Sequence, residues 1–488
     1  MKSLIPVFLL ILPLFSVGQQ IDKDLVREAD RLIPEMLEIY KVPGLSVAIV
    51  KENQVILCKG YGLSNVVKNS PFDKNTPGML ASATKFFTNL SVLKAVENGI
   101  VDLDLPLKTY IPGVRSDWGD IPLWRLLNLT SGIPSTDKTP FAQMNEEQQR
   151  KLTYRQYFDL IKDMPLDFQP GTNWRYQQTT FAMMAMIISE KTGKSWQDIV
   201  QQSVLDPAGM KHTHHLEQIS NPADLPVNYE VTGGRPLPAK FFYPLVQSTG
   251  AGYNTTASDM ANLFLTLNSG KIVPLKLIER EVFAKNRIYI QDSVTNEGYS
   301  IASEIESYGD FQTMGHPGGM GIAVIRYSPD QKIGVAVLAN EKNTRIATLL
   351  TDKLLNSLLG GIPLKKQKTT VAYAIRRALS RTKLNVEQLH KELSSHKDTY
   401  DFTNAESGLN SLGYSLLRDQ HMEDDALKVF ALNALQFPQS ANVYDSLGEL
   451  YLKMGNKKLA IINYEKCLSL NSKSETALKA LKELKSGN

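Results

Sequence analysis

Apolar residues over Lys23–Lys41 (Leu25, Leu32, Ile33, Met36, Leu37 and Tyr40) fall on one face of a 3.6-residue repeat, which predicts a helix. Leu45–Val50 and Val55–Tyr61 are rich in β-branched residues on either side of a Lys51–Gln54 turn, the pattern of a hairpin. A long buried helix is expected to begin at Ser82, because Phe86, Leu90, Leu93 and Val96 continue at three- and four-residue spacing up to Gly99. A stretch punctuated by Pro, Gly and Trp follows (Asp102–Trp118), then a short helical segment at Ile121–Leu129 that ends in the turn Thr130-Ser131-Gly132-Ile133-Pro134. The almost wholly apolar run inside Thr179–Thr192 reads as a core helix. Ser248–Tyr253 reads as a glycine-rich strand end or turn, and Thr256-Ala257-Ser258-Asp259 as the cap of a helix over Met260–Leu267. Strand patterns then dominate: Tyr299–Ile305, Phe311–Gly315, and a second hairpin of Gly321–Tyr327 with Lys332–Leu338. A helix over Thr344–Leu359 closes this part. Strands at both ends and helices between them predict one α/β (α+β) domain over 22–361, its antiparallel sheet completed by hairpins distant in sequence.

Composition changes this picture at the two ends. At 488 residues the chain is long enough for two or three domains, and a net charge of +4 gives no reason to invoke nucleic acid. Residues 1–18 read as a secretory signal: Lys2, an apolar run over Leu4–Phe15, and the small-residue site Ser16-Val17-Gly18. The run is too short for a membrane span, so cleavage near Gly18, export to the periplasm or medium, and no stable membrane anchor are expected. Cys58 and Cys467, the only cysteines, lie in different candidate domains and are expected as free thiols. Over 362–400 nine Lys and Arg stand against three acids, a net +6, and 362–404 reads as a basic helical linker.

Beyond the linker, at 405–486, lies an internal repeat. Ala426 and Phe430 recur at Ala460 and Tyr464, 34 residues later, whereas Gly413 and Gly448 are 35 apart, so the first copy carries one inserted residue near Gln420. With Tyr444, Leu447 and Tyr451 the pattern resembles the tetratricopeptide family, which implies a protein partner. Two copies bury too little alone, so the 371–400 helices or the preceding domain are expected to complete the stack.

For chemistry, Ser82-Ala83-Thr84-Lys85 places a hydroxyl and an amine three residues apart at a helix start, one way to activate a serine nucleophile. A lysine acts as a base at neutral pH only if burial or a nearby cation lowers its pKa, and a tyrosine phenolate held by cations could share the task. Tyr176, with Arg175 beside it, and His316 are the candidates. The cluster Lys211-His212-Thr213-His214-His215 lacks the spaced carboxylate or cysteine of a metal site, and neither a metal nor a cofactor is expected.

The ordered set Ser82-x-x-Lys85, Tyr176-x-Gln178 and His316-Pro317-Gly318 resembles the three motifs of serine β-lactamase-related hydrolases. That branch includes class C β-lactamases, penicillin-binding D-alanyl peptidases, D-aminopeptidases and family VIII-type esterases. Leu126–Gly132, Pro170-Gly171, Asp206–Met210, Thr256–Met260 and His316–Gly319 extend the likeness over about 25–360. The resemblance implies an acyl-enzyme on Ser82, a proton shuttle of Lys85 and Tyr176, and an oxyanion hole from the N–H groups of Ser82 and Gly319, with Gln178, His316 and Gly318 lining the substrate. Two departures narrow it. Gln178 stands where asparagine is frequent, and His316-Pro317-Gly318 replaces Lys-Thr-Gly, which exchanges a fixed cation for a titratable imidazole and removes the hydroxyl that holds a substrate carboxylate. An ester, amide or peptide substrate without an obligatory carboxylate is therefore expected, rather than a β-lactam or D-Ala-D-Ala. The alternative is a degenerate site in a binding or scaffold protein that works through its repeats.

Overall fold

The structure is a computed structural model that describes residues 14–216, 227–240, 242–292, 297–381 and 385–486. Most of the expected signal segment therefore lies outside the described residues. The first helix, α1, runs Leu14–Tyr40 and so starts earlier than the Lys23 boundary that periodicity marks. Among the described residues no helix is long and apolar enough to cross a membrane.

Nine strands form one antiparallel sheet: β1 (Gly44–Lys51), β2 (Gln54–Asn65), β3 (Ser70–Pro71), β4 (Tyr289–Asp292), β5 (Glu297–Ser300), β6 (Ser303–Tyr308), β7 (Phe311–Pro317), β8 (Ala323–Ser328) and β9 (Ile333–Ala339). Their order is β3-β2-β1-β9-β8-β7-β6-β5-β4, so the N-terminal hairpin is completed by the C-terminal one, with Ala48 opposite Ala336. Successive side chains on a strand face opposite sides of a sheet. Leu45, Val47 and Ile49 accordingly pack with α1 and with α6 (Ile346–Leu358). Ala48 and Val50 join the larger core on the other face, which holds α2 (Lys85–Glu97), α3 (Thr179–Thr192) and α5 (Ala257–Asn268). Both faces of the central strands β1, β8 and β9 are covered, which is why these read as nearly continuous apolar runs, whereas β2 is largely exposed or half-buried.

Three expectations about local structure change. Tyr299–Ile305 is not one strand: it breaks between β5 and β6, where Ala302 takes φ +49° and its N–H meets the Leu127 carbonyl at 3.0 Å. Ser248–Tyr253 is mostly helical, within α4 (Leu245–Ala251). Ile121–Leu129 contributes a single helical turn, Trp124–Leu127.

The C-terminal part is all helical: α7 (Val371–Arg381), α8 (Val386–Ser394), α9 (Ala405–Tyr414), α10 (Glu423–Gln436), α11 (Ala441–Lys453), α12 (Lys457–Leu470) and α13 (Glu475–Ser486). Val371, Ile375, Val386 and Leu393 share one apolar cluster with Leu409, Phe430 and Leu447, so α7 and α8 extend the repeat stack rather than forming a solvated linker. Part of the basic charge expected on a linker is engaged with the first domain. Arg377 and Arg381 reach Glu35 at 3.5 and 3.3 Å, and Arg376 lies over the Tyr40 ring at 4.3 Å. The inserted residue of the first repeat is absorbed by a π-helical turn, Ser415–Asp419. Cys58 and Cys467 are both free.

Candidate active site

Ser82 lies in a short 3-10 turn, Ala81–Thr84, that runs into α2, so the nucleophile stands just ahead of the α-helix instead of on its first turn. Ala81, the residue before it, is held at φ +44°, a conformation that costs on the order of 1–3 kcal/mol and needs surrounding structure to hold it. That support comes from the Leu80 N–H bonded to the Tyr253 carbonyl (2.9 Å) and from Thr84 Oγ1, which accepts from the Tyr253 N–H (3.3 Å). Strand β7 approaches the same turn from the other side. A Cβ on Gly318 would sit 2.3 Å from the Leu80 carbonyl oxygen, so only glycine lets the third motif come this close to the first.

Lys85 opens α2 and is completely buried. Its Nζ donates to the Gly250 carbonyl at 3.2 Å and stands 4.8 Å from the Tyr176 ring centroid and 5.0 Å from that of Phe181. Burial lowers its pKa from the usual 10.5 to about 7, with the Glu304 carboxylate a smaller opposing influence. The amine is thus poised to exchange a proton near neutrality.

Tyr176 reaches the site because its segment is tied to the loop at Thr130: the Gly171 N–H meets the Thr130 carbonyl at 2.8 Å, and the Arg175 N–H meets the Leu129 carbonyl at 3.1 Å. Although the residue stays 38 % exposed, desolvation among its neighbours raises its pKa above the ordinary value, outweighing Ser82 and Gln178, the polar side chains beside its phenol, which act to lower it. The phenol is therefore neutral, not the phenolate that sequence reasoning allowed. Arg175 is not its cation either, since that guanidinium pairs with Asp167 at 2.9 Å. Lys85 is the amine beside the ring.

His316 is 2 % exposed on β7, with its ring centroid 5.7 Å from that of Tyr176 and 5.8 Å from that of Tyr299. Its Nδ1 is 2.6 Å from the Pro317 carbonyl oxygen. Burial, reinforced by Lys85, pushes its pKa well below the usual 6.5, so the imidazole is neutral rather than a stand-in cation. The Gly318 N–H is committed to the Ala323 carbonyl (2.6 Å), and Gly319 begins the next 3-10 turn, Gly319–Gly321. Gln178 precedes α3. Its Oε1 is buried without a hydrogen-bond partner among the described residues, facing Gly250, where a Cβ would lie 2.2 Å from that oxygen and 2.8 Å from Lys85 Nζ.

Sequence reasoning missed Gly250, whose small-residue run looked like a turn. It also missed the aromatic wall of Trp174 and Tyr299, whose rings lie 5.8 Å apart and on which no motif falls. His215, from the candidate metal cluster, packs edge-on against Tyr253 at 5.1 Å, and burial lowers its pKa to about 4.

A mixed sheet-and-helix core with Ser, Lys and Tyr gathered at the edge of one strand defines a class of penicillin-binding-protein-like proteins, and comparison with known proteins agrees. The β-lactamase family model matches residues 29–356, and the chain belongs to that family; a tetratricopeptide repeat model matches 441–474. Protein flp of Staphylococcus aureus (strain N315) is 27 % identical over 245 residues, 49 % of this chain and 48 % of that protein, so the chain spans about half the length of such curated relatives. Among solved structures, an octameric penicillin-binding protein homologue from Pyrococcus abyssi aligns with a TM-score of 0.60 and 26 % identity, over 69 % of this chain and 77 % of that one. D-amino acid amidase from Ochrobactrum anthropi SV3 aligns with a TM-score of 0.56 and 18 % identity, over 72 % and 100 %. The last likeness is one of fold.

Proposed function

We propose that this protein is an exported serine hydrolase that cleaves an ester, amide or peptide bond through an acyl-enzyme on Ser82. One observation carries the reading: a completely buried Lys85 amine with a pKa of about 7 stands 4.8 Å from the ring of Tyr176, whose phenol has Ser82 as a polar neighbour. In the free-base form Lys85 is the ultimate proton acceptor, and the neutral phenol relays the Ser82 proton toward it as Oγ attacks the carbonyl carbon. The same groups return that proton to the leaving oxygen or nitrogen, and water then releases the acyl group by the reverse relay. The oxyanion would be held by the N–H groups of Ser82 and Gly319, both near the start of a 3-10 turn, where backbone donors are left over.

A neutral His316 offers no counter-charge to a carboxylate, which favours esters and amides over β-lactams. The amidase among the structural neighbours suits that preference. The helical repeats would recruit a protein partner, and the apolar N-terminal segment would direct export, with the mature chain starting after Gly18.

Labelling with a fluorophosphonate probe tests the reading. The wild type should be modified and Ser82→Ala should not. Equal labelling of both would overturn it, and full cellular rescue by Ser82→Ala would favour the non-catalytic binding role instead.

A further inference from the structure

Three polar atoms in the aromatic cluster beside Tyr176 have no hydrogen-bond partner among the described residues: Trp174 Nε1, the Tyr299 hydroxyl and His316 Nε2. Their rings are linked through Tyr299 and Tyr176, with Trp174 5.8 Å from Tyr299, Tyr299 5.8 Å from His316, and Tyr176 within 6.4 Å of each. Buried polar groups are costly when left unpaired, so a cluster of orphans beside a candidate nucleophile describes the ligand that would satisfy it.

The chemistry of each atom is settled by its bonding. A carbonyl oxygen only accepts, so the 2.6 Å contact from His316 Nδ1 to the Pro317 carbonyl requires the proton on Nδ1. In a neutral imidazole the other nitrogen is then a bare lone pair. His316 Nε2 is an acceptor. Trp174 Nε1–H can only donate, and the Tyr299 hydroxyl can do either.

We infer that His316, locked by the Pro317 carbonyl with its Nε2 lone pair free, and Trp174 Nε1–H together select a substrate bearing an uncharged amide next to the scissile bond, in preference to one ending there in a carboxylate. The amide N–H meets His316 Nε2, and its carbonyl meets Trp174 Nε1–H or the Tyr299 hydroxyl. A carboxylate offers no proton to Nε2 and places two lone pairs face to face. This deepens the hydrolase reading and rests on it for turnover, though not for the state of the imidazole.

Two measurements decide it. The first compares two esters of one acyl group that differ only in the leaving alcohol, lactate or its isosteric lactamide, with wild type and with Ser82→Ala as the zero. The lactamide ester should have a kcat/KM roughly ten- to a hundredfold higher, the range expected when one buried partner is left unpaired. His316→Lys should reverse that order. Faster cleavage of the lactate ester by wild type, with Ser82→Ala inactive, would overturn the inference and leave the hydrolase reading standing. The second is 15N NMR of protein labelled in its imidazoles, which needs neither turnover nor a variant. The His316 signals should show a protonated Nδ1 and a pyridine-type Nε2 that persist from pH 6 to pH 8. A protonated Nε2 in that range would overturn the inference whatever the enzyme assays report.

Discussion

Lys85 Nζ and the Gly250 carbonyl oxygen meet at 3.2 Å across 165 residues of sequence, and they bind the nucleophile turn to α4 at the point where α3 also delivers Gln178. Beside this contact Thr88 Oγ1 donates to the Thr249 carbonyl at 2.5 Å, so two successive carbonyls of α4 are taken by side chains of α2. Gly250 is where the amine, the Gln178 amide and the α4 backbone converge.

Gly250→Ala should therefore damage the site more than the fold. The new Cβ would meet the ends of two flexible side chains, Gln178 Oε1 at 2.2 Å and Lys85 Nζ at 2.8 Å, and both can move aside at modest cost. Displacing the proton acceptor by an ångström is enough to cost about a hundredfold in rate. A loss of kcat of that order with Tm lowered by only a few degrees is the expected result. Undiminished kcat would mean that the Lys85 position is not critical.

The depressed pKa of Lys85 sets both activity and stability against pH. If the free amine accepts the proton, log kcat/KM should climb with unit slope up to about pH 7 and level off above it. For stability, the unfolded lysine stays protonated to about 10.5 while the folded one loses its proton near 7. Between those values the unfolded state binds more protons, and stability rises with pH. Below pH 7 both forms are charged and the burial penalty is complete. Lys85→Met removes it, so the variant should be inactive yet more stable by up to roughly 5 kcal/mol at pH 6, with the gain shrinking as pH approaches 10. Urea unfolding at several pH values would measure this, and a gain that grew with pH would contradict the assignment.

Tyr176→Phe isolates the relay. The ring keeps its contacts with Trp174, Tyr299 and His316, while the hydroxyl that lies beside Ser82 and Gln178 is lost. Tyr176 is 38 % exposed, so little stability should go with it. A fall in kcat of about a hundredfold or more, with KM nearly unchanged, is expected for a group that acts in proton transfer. A change confined to KM would reduce Tyr176 to a wall of the cleft.

Much of this architecture was legible in the order of residues, and the failures share one cause. The helix over Thr179–Thr192 and strands β1, β8 and β9 follow from runs whose two faces are buried, a property that local composition carries. The break at Ile301–Ala302 does not, because it depends on the Asn89 side chain taking the Ile301 carbonyl and on Leu127 taking the Ala302 N–H. The helical state of Ser248–Ala251 likewise depends on α2. At the site, Ser82, Lys85, Tyr176 and His316 could be picked out by motif, and the structure brings all four together. Their protonation could not be foreseen: the neutral phenol and neutral imidazole arise from burial by elements far away in the chain.

The inserted residue of the first repeat leads to a last prediction. It is accommodated by the π-helical turn Ser415–Asp419, after which the Gln420 carbonyl accepts the Gly233 N–H at 2.5 Å. Gly233 is at the tip of the hairpin Tyr229–Pro238, whose base is fixed to the first domain by the Tyr229 N–H on the Asn340 carbonyl (2.7 Å) and the Val231 N–H on Glu341 (3.3 Å). Met422 Sδ lies against the same tip, 4.0 Å from where a Cβ on Gly234 would be. A repeat of regular length would have no such bulge to offer. The Gln420 carbonyl that follows the bulge thus holds the hairpin tip, and deleting Gln420 should restore a regular helix while releasing the tip. Hydrogen exchange should then show faster exchange at Gly233, with Tyr229 and Val231 still protected by the first domain. The repeat helices themselves should keep their protection, since Leu409, Phe430 and Leu447 remain packed as before. Unchanged exchange at Gly233 would show that the hairpin is held without the repeats, and general loss of protection across α9–α11 would show that the insertion serves the stack itself.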